Sequence, residues 1–195
     1  MKTVKEITNE IVKIGLAPMF KENGFKKSGF HFARRRGTVA HYFGIQLSQW
    51  NQGASGHFYL NAGVMFDDFR RHYGKKIPEL PKYADCDFMV RFEQIDLELA
   101  RWVTIDENID VQERGKWLRE HVENMFVVPL NSVSTTAAFE TTGWADKIPW
   151  GFPAVFQYFL GNTAEARRLI QREADYFADR GSTFESVANS LRLVF

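Results

Sequence analysis

The chain lacks most of what would announce a chemistry. Its 195 residues include one cysteine, Cys86, so no internal disulfide can form. A lone thiol fits a compartment that keeps cysteine reduced, and a cytoplasmic location is the expectation. Cys86 lies between Asp85 and Asp87, whose charges oppose a thiolate, which makes it a poor candidate nucleophile. No apolar run approaches the roughly 18–20 residues that span a bilayer, so no membrane association is expected. Met1-Lys2-Thr3-Val4-Lys5-Glu6 carries charge with no hydrophobic stretch behind it, unlike a signal peptide. The phosphate loop GxxxxGK[ST], the dinucleotide turn GxGxxG, the zinc helix HExxH, a CxxC pair and the GxSxG elbow are all missing. These gaps count against the common nucleotide and metal enzymes, and no cofactor or metal is expected. They leave open a site assembled from scattered residues.

What is present is ordinary in bulk and uneven in detail. Apolar residues make up 45% and charged residues 25%, the balance of a globular protein. The net charge of +1 hides a split. Residues 1–82 hold 14 Lys/Arg against 6 Asp/Glu, or +8, and residues 83–195 hold 11 against 18, or −7. The 18 phenylalanines outnumber the leucines, so aromatic rings should dominate the core.

Thr3-Val-Lys-Glu6 has the form of a capping box, and Val4, Ile7, Ile11 and Ile14 recur at helical spacing, which predicts a helix over 4–14. Pro18 suits the first turn of a restarted helix, and Gly24 a helix end. Alternating segments follow: Phe30–Arg34, Val39–Trp50 and His57–Phe66. Residues 67–86 read as a long loop with one helical turn. Phe88, Val90 and Phe92 mark a further strand, and Trp102–Ile105 a short one. Asp110 opens a helix that ends near Pro129. Beyond 131 only helices are expected, over 154–160, from Asn162, and from Ser182.

Register follows from hairpin geometry. With Arg36-Gly37 as a two-residue turn, Phe32 meets His41 and Phe30 meets Phe43. With Trp50 opposite His57, Phe43 meets Val64 and Leu47 meets Leu60. Both pairings gather Phe30, Phe32, Val39, Phe43, Ile45, Leu47, Phe58, Leu60, Val64 and Phe66 on one face. The expected fold is α+β: an N-terminal helix on a mainly antiparallel twisted sheet of about 4–6 strands, then a C-terminal helical region. Residues 1–130 form the sheet part and 131–195 a helical part packed on it as one unit.

The order helix, Asn23-Gly-Phe-Lys-Lys-Ser-Gly-Phe30, strand ending Arg34-Arg35-Arg36-Gly37, strand with Ile45-Gln46-Leu47-Ser48, strand with Phe58-Tyr-Leu-Asn61-Ala-Gly63-Val64 resembles a bacterial family known as domain of unknown function 4304. The resemblance covers roughly residues 5–130. It implies an α+β domain and a bacterial source, and it carries over no catalytic residue. Ala154-x3-Tyr158-x-Leu160-Gly161-x4-Ala166 resembles one tetratricopeptide unit. No second copy follows, so a generic helix pair is expected.

The same register sends His31, Tyr42, Gln46, Ser48, Trp50, His57, Tyr59 and Asn61 to the second face, with Gln46 opposite Asn61, His31 opposite Tyr42, and space over Gly44 and Gly63. Polar groups among aromatics and small residues compose a ligand groove. The plainer alternatives are a solvated face or one covered by the C-terminal helices. His41 points to the apolar face as a core or rim residue. A basic patch is drawn from Arg34, Arg35, Arg36, Arg70, Arg71, Lys75 and Lys76, unless the acidic second half docks on it.

The leading expectation is a non-catalytic module binding a protein, such as a toxin to be neutralised, or a small ligand. One alternative is single-stranded nucleic-acid binding through the basic runs and exposed aromatics. The other is a hydrolase or transferase with His31 or His57 as base.

Overall fold

The computed structural model describes residues 2–195. Helix α1 opens at Val4–Ile11 with the complete Thr3/Glu6 capping box. It does not stop at 14. It widens into a π turn over Val12–Leu16 and continues as Ala17–Glu22. The cause is Pro18, which lacks an N–H and crowds the preceding turn, so a wider turn just before it keeps the helix continuous. Gly24, at φ +78°, ends it, and the Phe25 N–H returns to the Phe20 carbonyl.

The strands are β1 (Lys26–Ser28), β2 (His31–Arg36), β3 (Val39–Leu47), β4 (Gly56–Phe66), β5 (Phe88–Arg91) and β6 (Val103–Ile105). They form one antiparallel sheet ordered β1-β2-β3-β4-β5, with β6 on the other end of β4. Strand β1, unforeseen from the sequence, adds an edge beside β2.

Both hairpin registers shift by two residues from expectation. The first turn is Gly37-Thr38, so Phe32 faces Phe43, and His31 faces Gly44 rather than Tyr42. Gly37 has φ +54°, and a turn with glycine first is the type that matches strand twist. In the second hairpin Phe43 faces Ala62, and Gln46 faces Tyr59 rather than Asn61. There the Asn51 amide bonds both the N–H and the C=O of His57, adding to the Ser48 N–H that also reaches that carbonyl. Trp50 is thereby left in the loop, 78% exposed. A two-residue shift preserves the face, so all ten expected apolar residues lie in the core or against it.

Helix α2 (Asp67–His72) follows β4. Helix α3 runs as Val111–Val122, a π turn Glu123–Val127, and Val128–Leu130. It too widens just before a proline, Pro129. Helices α1 and α3 lie over the apolar face and cross where a side chain on Gly15 would run into the Gly115 backbone. Phe20 stacks on Phe32 at 4.4 Å between centroids and sits 5.1 Å from Phe43, which meets Phe126 at 5.3 Å. Helices α4 (Phe152–Phe159), α5 (Thr163–Tyr176) and α6 (Phe184–Ser190) extend the same core. Helix α6 is capped by Thr183 rather than Ser182. Phe139, on the 3-10 turn Ala137–Thr142, meets Phe66 and Phe88 at 5.1 Å each, and Phe152 meets Phe88 at 5.3 Å, so α4 reaches the sheet on its apolar side. No helix among the described residues is long and apolar enough to cross a membrane.

Candidate functional site

The second face is covered in part, by a segment with a single 3-10 turn (Tyr83–Asp85) and not by the C-terminal helices. The segment from Pro78 to Asp87 crosses it as a strap. The strap is pinned at both ends. At one end Arg35, on the second face of β2, donates to the Pro78 carbonyl at 2.8 Å, the Glu79 carbonyl at 3.1 Å and both Asp67 carboxylate oxygens at 2.9 Å. At the other, Asp87 accepts from the Phe66 N–H at 2.9 Å, and its own N–H reaches the Val64 carbonyl. Arg70 donates to the carbonyls of Lys76 and Asp85. Burial of Asp87 outweighs its hydrogen bond and pushes its carboxyl up to about 6.

Between the pinned ends the strap bows over Tyr42. Tyr83 and Tyr42 rings lie 5.7 Å apart, and Cys86 sits above Gly63. The space expected over the two glycines is filled: a side chain on Gly44 would strike the Tyr42 ring, and one on Gly63 the Cys86 thiol. Room remains to one side. A cavity of about 580 Å³ opens between the strap (Leu80, Pro81, Lys82, Tyr83, Ala84) and the β1–β2 edge, where Lys26, Ser28, His31 and Ala33 face Tyr42. His31 Nδ1 hydrogen-bonds the Tyr42 hydroxyl. Burial, with Cys86 and Tyr83 adding smaller contributions, pushes the Tyr42 phenol up to about 12. Burial first, then Asp87 and Asp85, also pushes the Cys86 thiol up, in the direction its acidic neighbours suggested.

The eight expected second-face residues therefore divide. His31 and Tyr42 line the cavity. Gln46, Asn61 and Tyr59 gather instead on Arg91, which lies across from Asn61 on β5. Arg91 donates to Asn61 Oδ1 at 2.9 Å and Gln46 Oε1 at 3.1 Å, with its guanidinium 4.5 Å from the Tyr59 ring centre. His57 bonds the Tyr59 hydroxyl at 3.1 Å and packs against Trp102 at 5.2 Å. Ser48 is nearly buried and accepts from the Trp50 N–H, so both belong to the β3–β4 loop.

The expected basic patch does not form as a patch. Arg34 is buried on the apolar side at 3% exposure, against the Phe25 ring, donating to His41 Nδ1 at 3.0 Å. Its even position on β2 puts it on the same side as Phe32, and burial lowers its guanidinium to about 10, still charged at neutral pH. His41 is buried as expected, and desolvation first, then the Arg34 and Arg36 charges, hold its imidazole down to about 3. Arg35 and Arg70 are the strap's struts. Arg36 donates to the Asn131 carbonyl, Arg71 pairs with Asp68 at 3.0 Å, and Lys75 lies over Tyr73. Lys76 stays exposed. The acidic second half does not dock on these cations as a block. Arg35 and Arg71 find acids within residues 67–68, and Asp85 beside Arg70 is the single acid from beyond residue 82.

Sequence reasoning missed Lys82, Tyr83 and Arg91. Arg91 carried a signal, since it alternates with the core residues Phe88 and Val90. Its neighbours did not, because β4 and β5 are joined by a long connection whose register no turn specifies. Also unforeseen is a pair on the helix side, where buried Asp96 accepts from His121 at 2.8 Å and from the Glu98 N–H at 3.1 Å, stapling the turn after β5 to α3.

An antiparallel sheet with helices on one face and a strap on the other defines an α+β protein with a second-face cavity. The chain belongs to the family described as Domain of unknown function (DUF4304), whose match spans residues 16–139. No curated protein and no solved structure matches it.

Proposed function

We propose that the protein is a non-catalytic binding module whose small-molecule site is the cavity beneath the strap. The observation that carries this is the cavity itself: about 580 Å³, walled by two tyrosines, and framed by a segment pinned at both ends. That volume lies within the usual range of about 300–1,000 Å³ for ligand sites. Support for binding over catalysis comes from the groups nearby. The Tyr42 phenol and Cys86 thiol are both held protonated, which suits positioning and packing better than nucleophilic attack.

The test is a fragment screen followed by amide-resolved NMR. Binders should perturb Ser28, His31 and Ala84 together, and Tyr83→Ala should weaken them about tenfold while leaving the fold intact. A screen whose hits never perturb these residues would remove the proposal.

A further inference from the structure

Resting on that reading, we infer that the ligand of the cavity is an organic anion, a carboxylate or phosphate attached to a flat apolar body. Three independent features of the lining point there.

The first is charge. The lining residues include Lys26, Lys82 and His31 and no aspartate or glutamate, while Lys27, paired with Phe32, turns its side chain to the other face. Lys26 already has an acid, Glu79, at 3.0 Å, and both are exposed at the rim. Lys82, exposed on the strap, has no ion-pair partner among the described residues. A wall that keeps an unpaired ammonium at Lys82 favours an anion and disfavours an amine.

The second is the polarity of the hydrogen-bonding groups. The Tyr42 hydroxyl is buried, and His31 Nδ1 is its one hydrogen-bond partner among the described residues. We assign the phenol as donor to Nδ1, which puts the imidazole N–H on Nε2. With that assignment the other polar side chains of the lining can all donate: His31 Nε2–H, the Lys26 and Lys82 ammonium groups and the Ser28 hydroxyl. A ligand that brings acceptors satisfies them, and one that brings donors leaves them unpaired.

The third is the rest of the wall. Leu80, Pro81, Ala33 and Ala84 are apolar, and the Tyr42 and Tyr83 rings meet at 41°. A small inorganic ion would leave this surface wet, whereas a planar body attached to the anion would cover it.

The experiment compares matched pairs that differ in one charge: indole-3-acetate with indole-3-acetamide, and adenosine 5′-monophosphate with adenosine, by calorimetry on the full chain. The expected result is that at least one acid binds ten times more tightly than its neutral partner at low salt. Which pair separates tells carboxylate from phosphate. Lys82→Met should bring the favoured pair within about threefold by weakening the acid alone, as should raising NaCl from 50 to 500 mM. Equal affinity within both pairs, or a ratio that survives Lys82→Met, overturns the anion assignment. If the neutral members still perturb Ser28 and Ala84 by NMR, the cavity remains a binding site and only the ligand class falls. If none of the four perturbs them, both fall.

Discussion

The two faces of one sheet are closed by different means. On the apolar face, α1 and α3 pack ring against ring, with Phe20, Phe32, Phe43 and Phe126 all buried. On the second face a short strap is held by Arg35, Arg70 and Asp87, chiefly through backbone carbonyls and amides. Apolar packing is non-directional and fills whatever space it is given. Hydrogen bonds fix points and leave gaps between them. A cavity therefore survives under the strap, beside the filled interior on the other side.

This contrast can be broken by substitution. The largest effect is expected at Phe43→Ala, which removes a fully buried ring contacted by both covering helices and should cost about 3–5 kcal/mol in urea denaturation. Arg35→Met should cost less, about 1–3 kcal/mol, by leaving the Asp67 carboxylate poorly paired. Its signature is local: amide exchange and proteolysis should rise at residues 79–85 while the apolar face keeps its protection. Equal loss of protection on both faces would show that the strap is no separate unit. His121→Ala should cost a similar or smaller amount, on the order of 1–2 kcal/mol, because Asp96 keeps the Glu98 N–H as a partner. Gln46→Ala, an exposed acceptor of Arg91, should change stability by less than about 0.5 kcal/mol.

A pH series sharpens the comparison, because each face carries a group displaced within the acid range, His41 and Asp87. His41, on the apolar face, titrates near 3 when folded, against 6.5. The unfolded chain takes that proton first, so this group lowers stability as pH falls below 6.5. Asp87, at the strap's end, titrates near 6 when folded, against 3.8. The folded chain takes that proton first, so this group raises stability as pH falls from 6 toward 4. The two oppose each other within one window. Asp87→Asn should remove only the second, and urea midpoints measured at pH 4, 5, 6 and 7 should then fall more steeply with acid than in the wild type. An unchanged slope would contradict the displaced titration of Asp87.

Much of this was legible beforehand, for reasons that particular residues make plain. Side chains alternate along a strand, so the apolar face survived a register error of two residues in each hairpin. The same error moved the partner of His31 by two residues, from Tyr42 to Gly44, and that of Gln46 from Asn61 to Tyr59. Faces are robust to even shifts and pair partners are not. The basic runs misled because consecutive residues of a strand point opposite ways. Arg34 went into the core and Arg35 to the strap, although they are adjacent in the chain.

Spacing and residue type were enough for the α+β class, the helix starts at Thr3 and Asp110, the end at Gly24, and which residues of three strands share a face. These are local properties, set by spacing, capping groups and backbone freedom. It took the folded chain to show that residues 78–87 cross the second face, that Tyr83 and Lys82 join His31 and Tyr42 around one cavity, and that Arg91 gathers Gln46, Asn61 and Tyr59. Each of these joins segments tens of residues apart, through contacts that exist only once both have folded.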